Sequence, residues 1–567
     1  MPRRIWNVLL ILAVLAPLTL GGCTARPAGV VEQVVKETVV VEGEPVVVTA
    51  TPEEAVVTGG TIIYSDFSDA ETLNPILFSD NASDMVCQMI FNALVQLDEQ
   101  GNVLPDLAER WDISEDQKTY TYYLRQNVTW QDGEPFTAVD VQFTYQMILD
   151  EAVNSPRRAD FADLLDPANI EVLDDYTIRF TLNRVDASWL CCKDIYMIIP
   201  QHILGSLPPA EINTAAFNTA PVGTGPFAFQ EWVKDDHIAL VANPNYFEGA
   251  PNAGAWFYKV VENETVSFSQ LQTGEADVST VTAALWEQAQ STEGLECASF
   301  PRFGFLFYIY NLDPAVTPLF QDVRTRQALL FALDRQAMVD SIAFGLADVA
   351  NSVVPPLSWA HNPDNAPVYP YDVARAEALL DEVGWRDEDG DGIREAHGIA
   401  GITDGTPFSF ELKTNAGNQE REQAIVAMQQ YWAQVGVEVR TATKEWNALL
   451  ADLMETHQYE AVVIGFSWDV DPDQSPMWHS RSYGDGFNIA RYLNPELDEI
   501  LDAALQTTDV AERKAYYYEM QRILAEDVPA PILYFRRGTE CWDEKLHEYQ
   551  VNDVNRWTNA HEWWMAE

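Results

Sequence analysis

Between Asp372 and Asp473, helical stripes of apolar residues alternate with short apolar runs, and this restricts the chain to layered α/β architectures. Asp372 stands where an N-cap is expected, Val373, Ala376, Leu380 and Val383 share one face, and Gly384 ends the helix. A second stripe carries Ile425, Met428, Trp432 and Val435 as far as Gly436, after which Val437-Glu438-Val439 reads as a strand. A third places Trp446, Leu449 and Leu453 together and leads into Ala461-Val462-Val463-Ile464, a continuous apolar run typical of a strand buried on both faces. Parallel strands under helices are the expected result. Residues 119–124 and 176–182 instead alternate with period two, as half-exposed strands do. A strand-rich early lobe therefore precedes an α/β late lobe.

Length and composition bound the rest. About 500 residues follow residue 58, more than one hydrophobic core usually serves, so two or three lobes are expected. The 17 Trp, 22 Tyr and 25 Phe supply cores and a ligand cleft. The formal charge is −53, which excludes nucleic acid as a partner, because phosphate binding needs a basic surface. An acidic field confers solubility and also concentrates cationic solutes.

The N-terminus reads as an export signal over residues 1–22. Arg3 and Arg4 precede an apolar run at 5–20, which Pro17 interrupts and which is too short to span a bilayer comfortably. Leu20-Gly21-Gly22-Cys23 resembles a bacterial lipobox, which implies a diacylglyceryl group on Cys23; an ordinary signal peptide with an incidental cysteine is the alternative. Residues 23–58 contain no aromatic residue and are rich in Val, Glu, Thr and Pro, as a stretched tether would be, or a short edge strand. Without Cys23, five cysteines remain: Cys87, Cys191, Cys192, Cys297 and Cys541. Up to two internal bridges with one thiol left over are expected. Adjacent Cys191 and Cys192 bond each other only with strain, so one of them is expected to pair elsewhere.

A series of motifs carries a family resemblance. Thr72-Leu73-Asn74-Pro75 is followed by Leu104-Pro105-Asp106-Leu107-Ala108-Glu109-Arg110-Trp111 and Tyr120-Thr121-Tyr122-Tyr123-Leu124-Arg125. The strongest block runs from Val128 to Val141 and contains Trp130-Gln131-Asp132-Gly133-Glu134-Pro135-Phe136. Val222-Gly223-Thr224-Gly225-Pro226-Phe227, Asp322-Val323-Arg324-Thr325-Arg326-Gln327-Ala328 and Ala332-Leu333-Asp334-Arg335 complete it. In order and spacing the set resembles solute-binding family 5, the large extracytoplasmic proteins that serve ABC importers of dipeptides and oligopeptides.

The resemblance implies a three-lobed α/β fold like that of periplasmic binding proteins (large type II, cluster C). Lobe I would comprise 59–85, 222–302 and 525–567, lobe II 86–221 and lobe III 303–524. Lobes I and III would close on the ligand about hinge strands, and an importer permease would recognise the closed form. Gly223 and Gly225 suit a crossover where backbones approach closely, or an ordinary turn. A membrane-anchored monomer that binds a peptide-like solute is expected, with an oligosaccharide or other small solute, or a sensor role, as alternatives.

The ligand site follows from physics as well as resemblance. Ligands of α/β sheets sit beyond the carboxyl ends of the strands. There the chain reads Gly465-Phe466-Ser467-Trp468-Asp469-Val470-Asp471-Pro472-Asp473, with two aromatic rings beside three carboxylates. A desolvated carboxylate pairs strongly with an α-ammonium group, and backbone at Phe466, Ser467 and Trp468 suits an extended peptide added as a strand. The resemblance implies that Asp469 grips the ligand's amino terminus, with Asp471 as rival; a solvated acidic turn that caps a helix is the competing reading. Phe67, Trp446 and Tyr534 are further cleft candidates, or core residues.

Asp387, Asp389, Asp391 and Glu395 place oxygens around Gly390 as calcium loops do, but Gly398 stands where an EF-hand has its bidentate Glu. Structural calcium and a plain Asp/Gly turn both fit; no other cofactor is expected. The chain lacks HExxH, GxSxG and GxxxxGK[ST], and Gly465-Phe466-Ser467 does not continue as a nucleophile elbow. An enzyme is not expected, although a hydrolase needs only two positioned carboxylates.

Overall fold

Two long antiparallel strands, Leu295–Tyr310 and Ile532–Asp543, run through the middle of an eleven-stranded mixed sheet. The computed structural model describes residues 59–484 and 486–566; the signal 1–22, the tether 23–58 and Cys23 lie outside the described residues. No described helix is long and apolar enough to cross a membrane.

On the late side, Gly304–Tyr310 pairs with Ala461–Ser467, followed outward by Ser409–Asn415 and Glu438–Lys444. On the early side, Glu540, Cys541 and Trp542 pair with Val278–Thr280, followed by Thr61–Asp66, Ala255–Val260, His237–Ala242 and Phe227–Val233. The ladder between the long strands breaks where they change sides. Pro301 faces Arg537 and Phe305 faces Phe535, so residues 302–304 stand opposite Arg536 alone. Proline offers no N–H to a ladder, which favours the irregularity at this position.

The strand Ile532–Asp543 packs with both halves. Leu533 and Tyr534 are buried in the core under one face of the late sheet, and Ile532 and Phe535 in the core under the other. Residues up to Arg536 thus pack with the late half, because the strand completes its late pairings before it crosses.

The local readings hold in the late half. Asp372 Oδ1 accepts the Arg375 N–H at 2.9 Å, capping the helix Val373–Val383, and Gly384 ends it at φ +115°. Gln419–Ala433 is the second helix; Val435 lies beyond its end yet is buried. The third stripe divides into the α-helix Trp446–Leu450 and the π-helical turn Ala451–Thr456. Residues 409–415, 438–444 and 461–462 are parallel, as expected.

Early in the chain, Ala108–Ile113, Thr119–Leu124, Thr177–Leu182 and Leu165–Asp174 form a separate four-stranded antiparallel sheet. Its two central strands bury every second side chain. This sheet and the early half of the large sheet share one core, in which Tyr64, Trp256, Trp130 and Trp189 are all buried. The junction depends on the motif glycines. A Cβ on Gly223 would lie 1.8 Å from the Ile90 carbonyl oxygen, so the close approach requires glycine. Gln131 completes it by accepting the Gly223 N–H at 2.8 Å and donating to the Phe227 carbonyl at 2.8 Å.

Cys297 and Cys541 face each other across the long strands and form a disulfide. Cys191 and Cys192 are not bridged to any other described cysteine, contrary to the expectation that one pairs elsewhere. Their sulfurs instead lie 2.9 Å apart.

Candidate functional site

A cavity of about 500 Å³ opens where the early half meets the loop after Ala461–Ser467. Asp80, Asp84, Asp106, Tyr196 and Trp557 stand in its early wall. Asp80 is the N-cap of the helix Asn81–Ile90 and accepts from the Ser83 N–H at 2.7 Å. Asp84 accepts from Gln88 at 2.8 Å, and burial raises its carboxyl above the usual range. Asp106 accepts from the Ala93 N–H and the Asn92 amide, each at 3.0 Å. Burial outweighs both bonds and pushes its carboxyl to about 8. Arg157 is the one cationic side chain in the described wall, and it lies 4.7 Å over the Phe78 ring.

Among the described residues of 303–524, Asp469 alone reaches this wall. Its strand arrives between Gly304–Tyr310 and Ser409–Asn415, and the Trp468 N–H donates to the Phe303 carbonyl at 3.2 Å. Pairing with Ser409–Asn415 ends at Lys413 and Val462, which leaves Gly465–Ser467 without a strand partner on that edge. Asp469 is exposed to the cavity but surrounded by protein. Burial therefore raises its carboxyl, the Val470 N–H bond at 2.7 Å lowers it, Asp471 raises it and Lys193 lowers it.

The rival carboxylate does other work. Asp471 is buried and accepts both terminal nitrogens of Arg513, at 2.7 and 2.8 Å. Burial alone would lower the Arg513 guanidinium, but Asp471 outweighs it and the net shift is upward. Asp473 behaves as the acidic turn residue anticipated for this segment, accepting from the Ser475 N–H and hydroxyl at 2.9 and 2.5 Å.

The aromatic candidates separate in the same way. Trp468 is buried, with its indole N–H on the Val353 carbonyl at 3.1 Å and its ring 5.5 Å from Phe305. Tyr534 is fully buried and its hydroxyl donates to Glu420 at 3.0 Å, so it belongs to the core and not to a cavity wall. Phe466 is half-buried against Phe487, and Ser467 is exposed at the strand end. Trp446 is 42% exposed below Arg421, and Phe67 is 52% exposed after the first strand; neither lines the cavity.

Sequence reasoning missed Asp80, Asp84 and Asp106 as cavity residues. Asp106 lies inside the Leu104–Trp111 motif, so a buried carboxylate within a matched block was the available signal. The ligating oxygens of Asp387, Asp389, Asp391 and Glu395 lie within 4.8 Å of one another. Asp387 accepts from Gly390 and Gly392 N–H, and Asp391 from Ile393 N–H, as in an Asp/Gly turn.

A sheet split by two long crossing strands, with a cavity at their junction, offers a place for a small solute. The chain belongs to the bacterial extracellular solute-binding proteins, family 5, which it matches over residues 102–488. The oligopeptide-binding protein AppA of Bacillus subtilis is 31% identical over 512 residues, covering 90% of this chain and 92% of that protein. Its structure in complex with a nonapeptide superposes with a TM-score of 0.72, over 90% of this chain and 99% of that one. Di/tripeptide-binding protein 1 of Pseudomonas aeruginosa is 27% identical over 83% of this chain and 87% of its own. The family is one of extracytoplasmic solute-binding proteins, not enzymes.

Proposed function

We propose that this protein captures a peptide-like solute through its free amino terminus and delivers it to an ABC importer permease. The carrying observation is that, among the described residues of 303–524, Asp469 alone reaches the cavity, while the neighbouring Asp471 is held by Arg513. A carboxylate raised by burial gains most from an ammonium group that restores its charge partner. Asp80, Asp84 and Asp469 outnumber Arg157 in the described cavity wall, which suits the same end of a peptide. The open edge of Gly465–Ser467 suits the ligand's backbone as an added strand. Peptide ligands in the names of AppA and of the Pseudomonas protein support the same class.

The break at residues 301–305 and Arg536 is the hinge on which lobes I and III close. The protein acts as a monomer, held at the outer face of the membrane by a lipid on Cys23 and spaced from it by residues 24–58. Calorimetry with a free peptide and its N-acetylated form tests the amine grip; equal affinities would sink it. Intact mass of membrane-extracted protein tests the anchor, which an unmodified Cys23 would refute.

A further inference from the structure

Three cysteines remain outside the Cys297–Cys541 bridge in the described residues, and they differ in placement. Cys87 is fully buried within Asn81–Ile90. Cys191 and Cys192 end the short turn Trp189–Cys192, in which Leu190 leaves helical geometry at φ −77° and ψ 35°. Their sulfurs stand 2.9 Å apart, closer than unbonded sulfurs rest and approaching the about 2.05 Å of a disulfide. Cys192 lines the cavity, and Cys191 Sγ lies 3.7 Å from Asp471 Oδ2 and 3.6 Å from the Ser188 carbonyl.

We propose that Cys191 and Cys192 close into a vicinal disulfide that forms part of the cavity wall. The oxidant is an external disulfide, either of a thiol oxidoreductase or of glutathione. One cysteine thiolate attacks it, forms a mixed disulfide and expels the first thiolate. The second cysteine then attacks the mixed disulfide, closes the ring and expels the second thiolate. The two protons lost by the cysteines go to the two leaving thiols, and the electron pair reduces the external disulfide. In the folded chain the Cys191 thiol is held up by its contact with Cys192 and by burial, which slows attack by its thiolate. The ring therefore forms while the segment is still exposed during export.

This pairing resolves the odd count: two bridges leave Cys87 as the single thiol beyond Cys23. It also replaces two thiol donors beside Asp469 and Asp471 with an apolar, conformationally fixed ring. An ordinary disulfide spans about 4.4–6.8 Å between Cα atoms, whereas adjacent residues are held at about 3.8 Å, so the ring is strained and reopens in reduced glutathione.

The test uses exported full-length protein, denatured in an alkylating agent without reductant and analysed by peptide mass spectrometry. The expected result is alkylated Cys87 and a peptide spanning Cys191 and Cys192 that is two hydrogens lighter and unalkylated. Prior treatment with reduced glutathione should convert it to the doubly alkylated form. C191S and C192S should each expose one alkylatable thiol. Two alkyl groups on that peptide without reductant, or a mixed disulfide with glutathione in place of the ring, would overturn the proposal.

Discussion

The early wall of the cavity continues directly into one large core running from Tyr64 and Trp256 through Trp130 to Trp189, whereas the late wall reaches the cavity through one loop and one carboxylate. The early wall supplies shape: helix Asn81–Ile90 and the Asp106 turn are held by hydrogen bonds within the early half. The late wall supplies a movable charge, whose orientation depends on the Asp471–Arg513 pair at its base. Under the proposed function, recognition is divided between the carboxyl-bearing early wall and the single group that closure brings to it.

That division has measurable consequences. Arg513→Ala leaves the buried Asp471 carboxylate unpaired and should lower stability by about 3–5 kcal/mol in urea denaturation. An unchanged midpoint would remove the anchor proposed for the late wall. Replacing Cys297 and Cys541 together with Ser should cost about 2–4 kcal/mol, since that bridge closes a long loop across the crossing strands. Asp469→Asn should weaken a free-amine peptide roughly tenfold to a hundredfold, the span of a lost charge-assisted contact, and leave folding stability nearly intact. Comparable loss of affinity for the N-acetylated peptide would shift the decisive contact to the early wall.

Asp106 gives the most specific effect, because only its pH dependence identifies it. Its folded carboxyl titrates near 8, above the ordinary value, so its protonated form stabilises the fold fully below about pH 4. That contribution is lost as pH rises through the folded value. Asp106→Asn should therefore gain on the parent protein by several kcal/mol, about 1.4 kcal/mol per pH unit, between pH 5 and pH 8. A difference independent of pH would show that Asp106 is already solvated and that the early wall is looser than its hydrogen bonds imply.

Local features were legible in sequence because their causes are local. The cap at Asp372, the stop at Gly384, the period-two strand at Thr119–Leu124 and the apolar run Ala461–Ile464 each depend on neighbours within a few residues. The loop after that run was legible as a candidate for the same reason: it follows a doubly buried strand, and its Asp469 lines the cavity. Tyr534 and Trp468 were not separable from cavity aromatics, since their hydrogen bonds to Glu420 and to the Val353 carbonyl come from distant segments. Which half residues 532–536 pair with was likewise not legible, because it depends on strand pairing with distant segments.

The sequence by itself determined the α/β class, the order of the late elements, the motif series of the family and the loop that carries Asp469. Only the tertiary structure decided which of two carboxylates, two residues apart, turns to the cavity. Arg513, 42 residues beyond Asp471, folds against that loop and holds one carboxylate in the core. Asp469 is left as the one group in the cavity wall among the described residues of 303–524. Local pattern constrains which residues occupy a loop, but the balance between burying a charge and pairing it is settled by whatever the fold brings alongside.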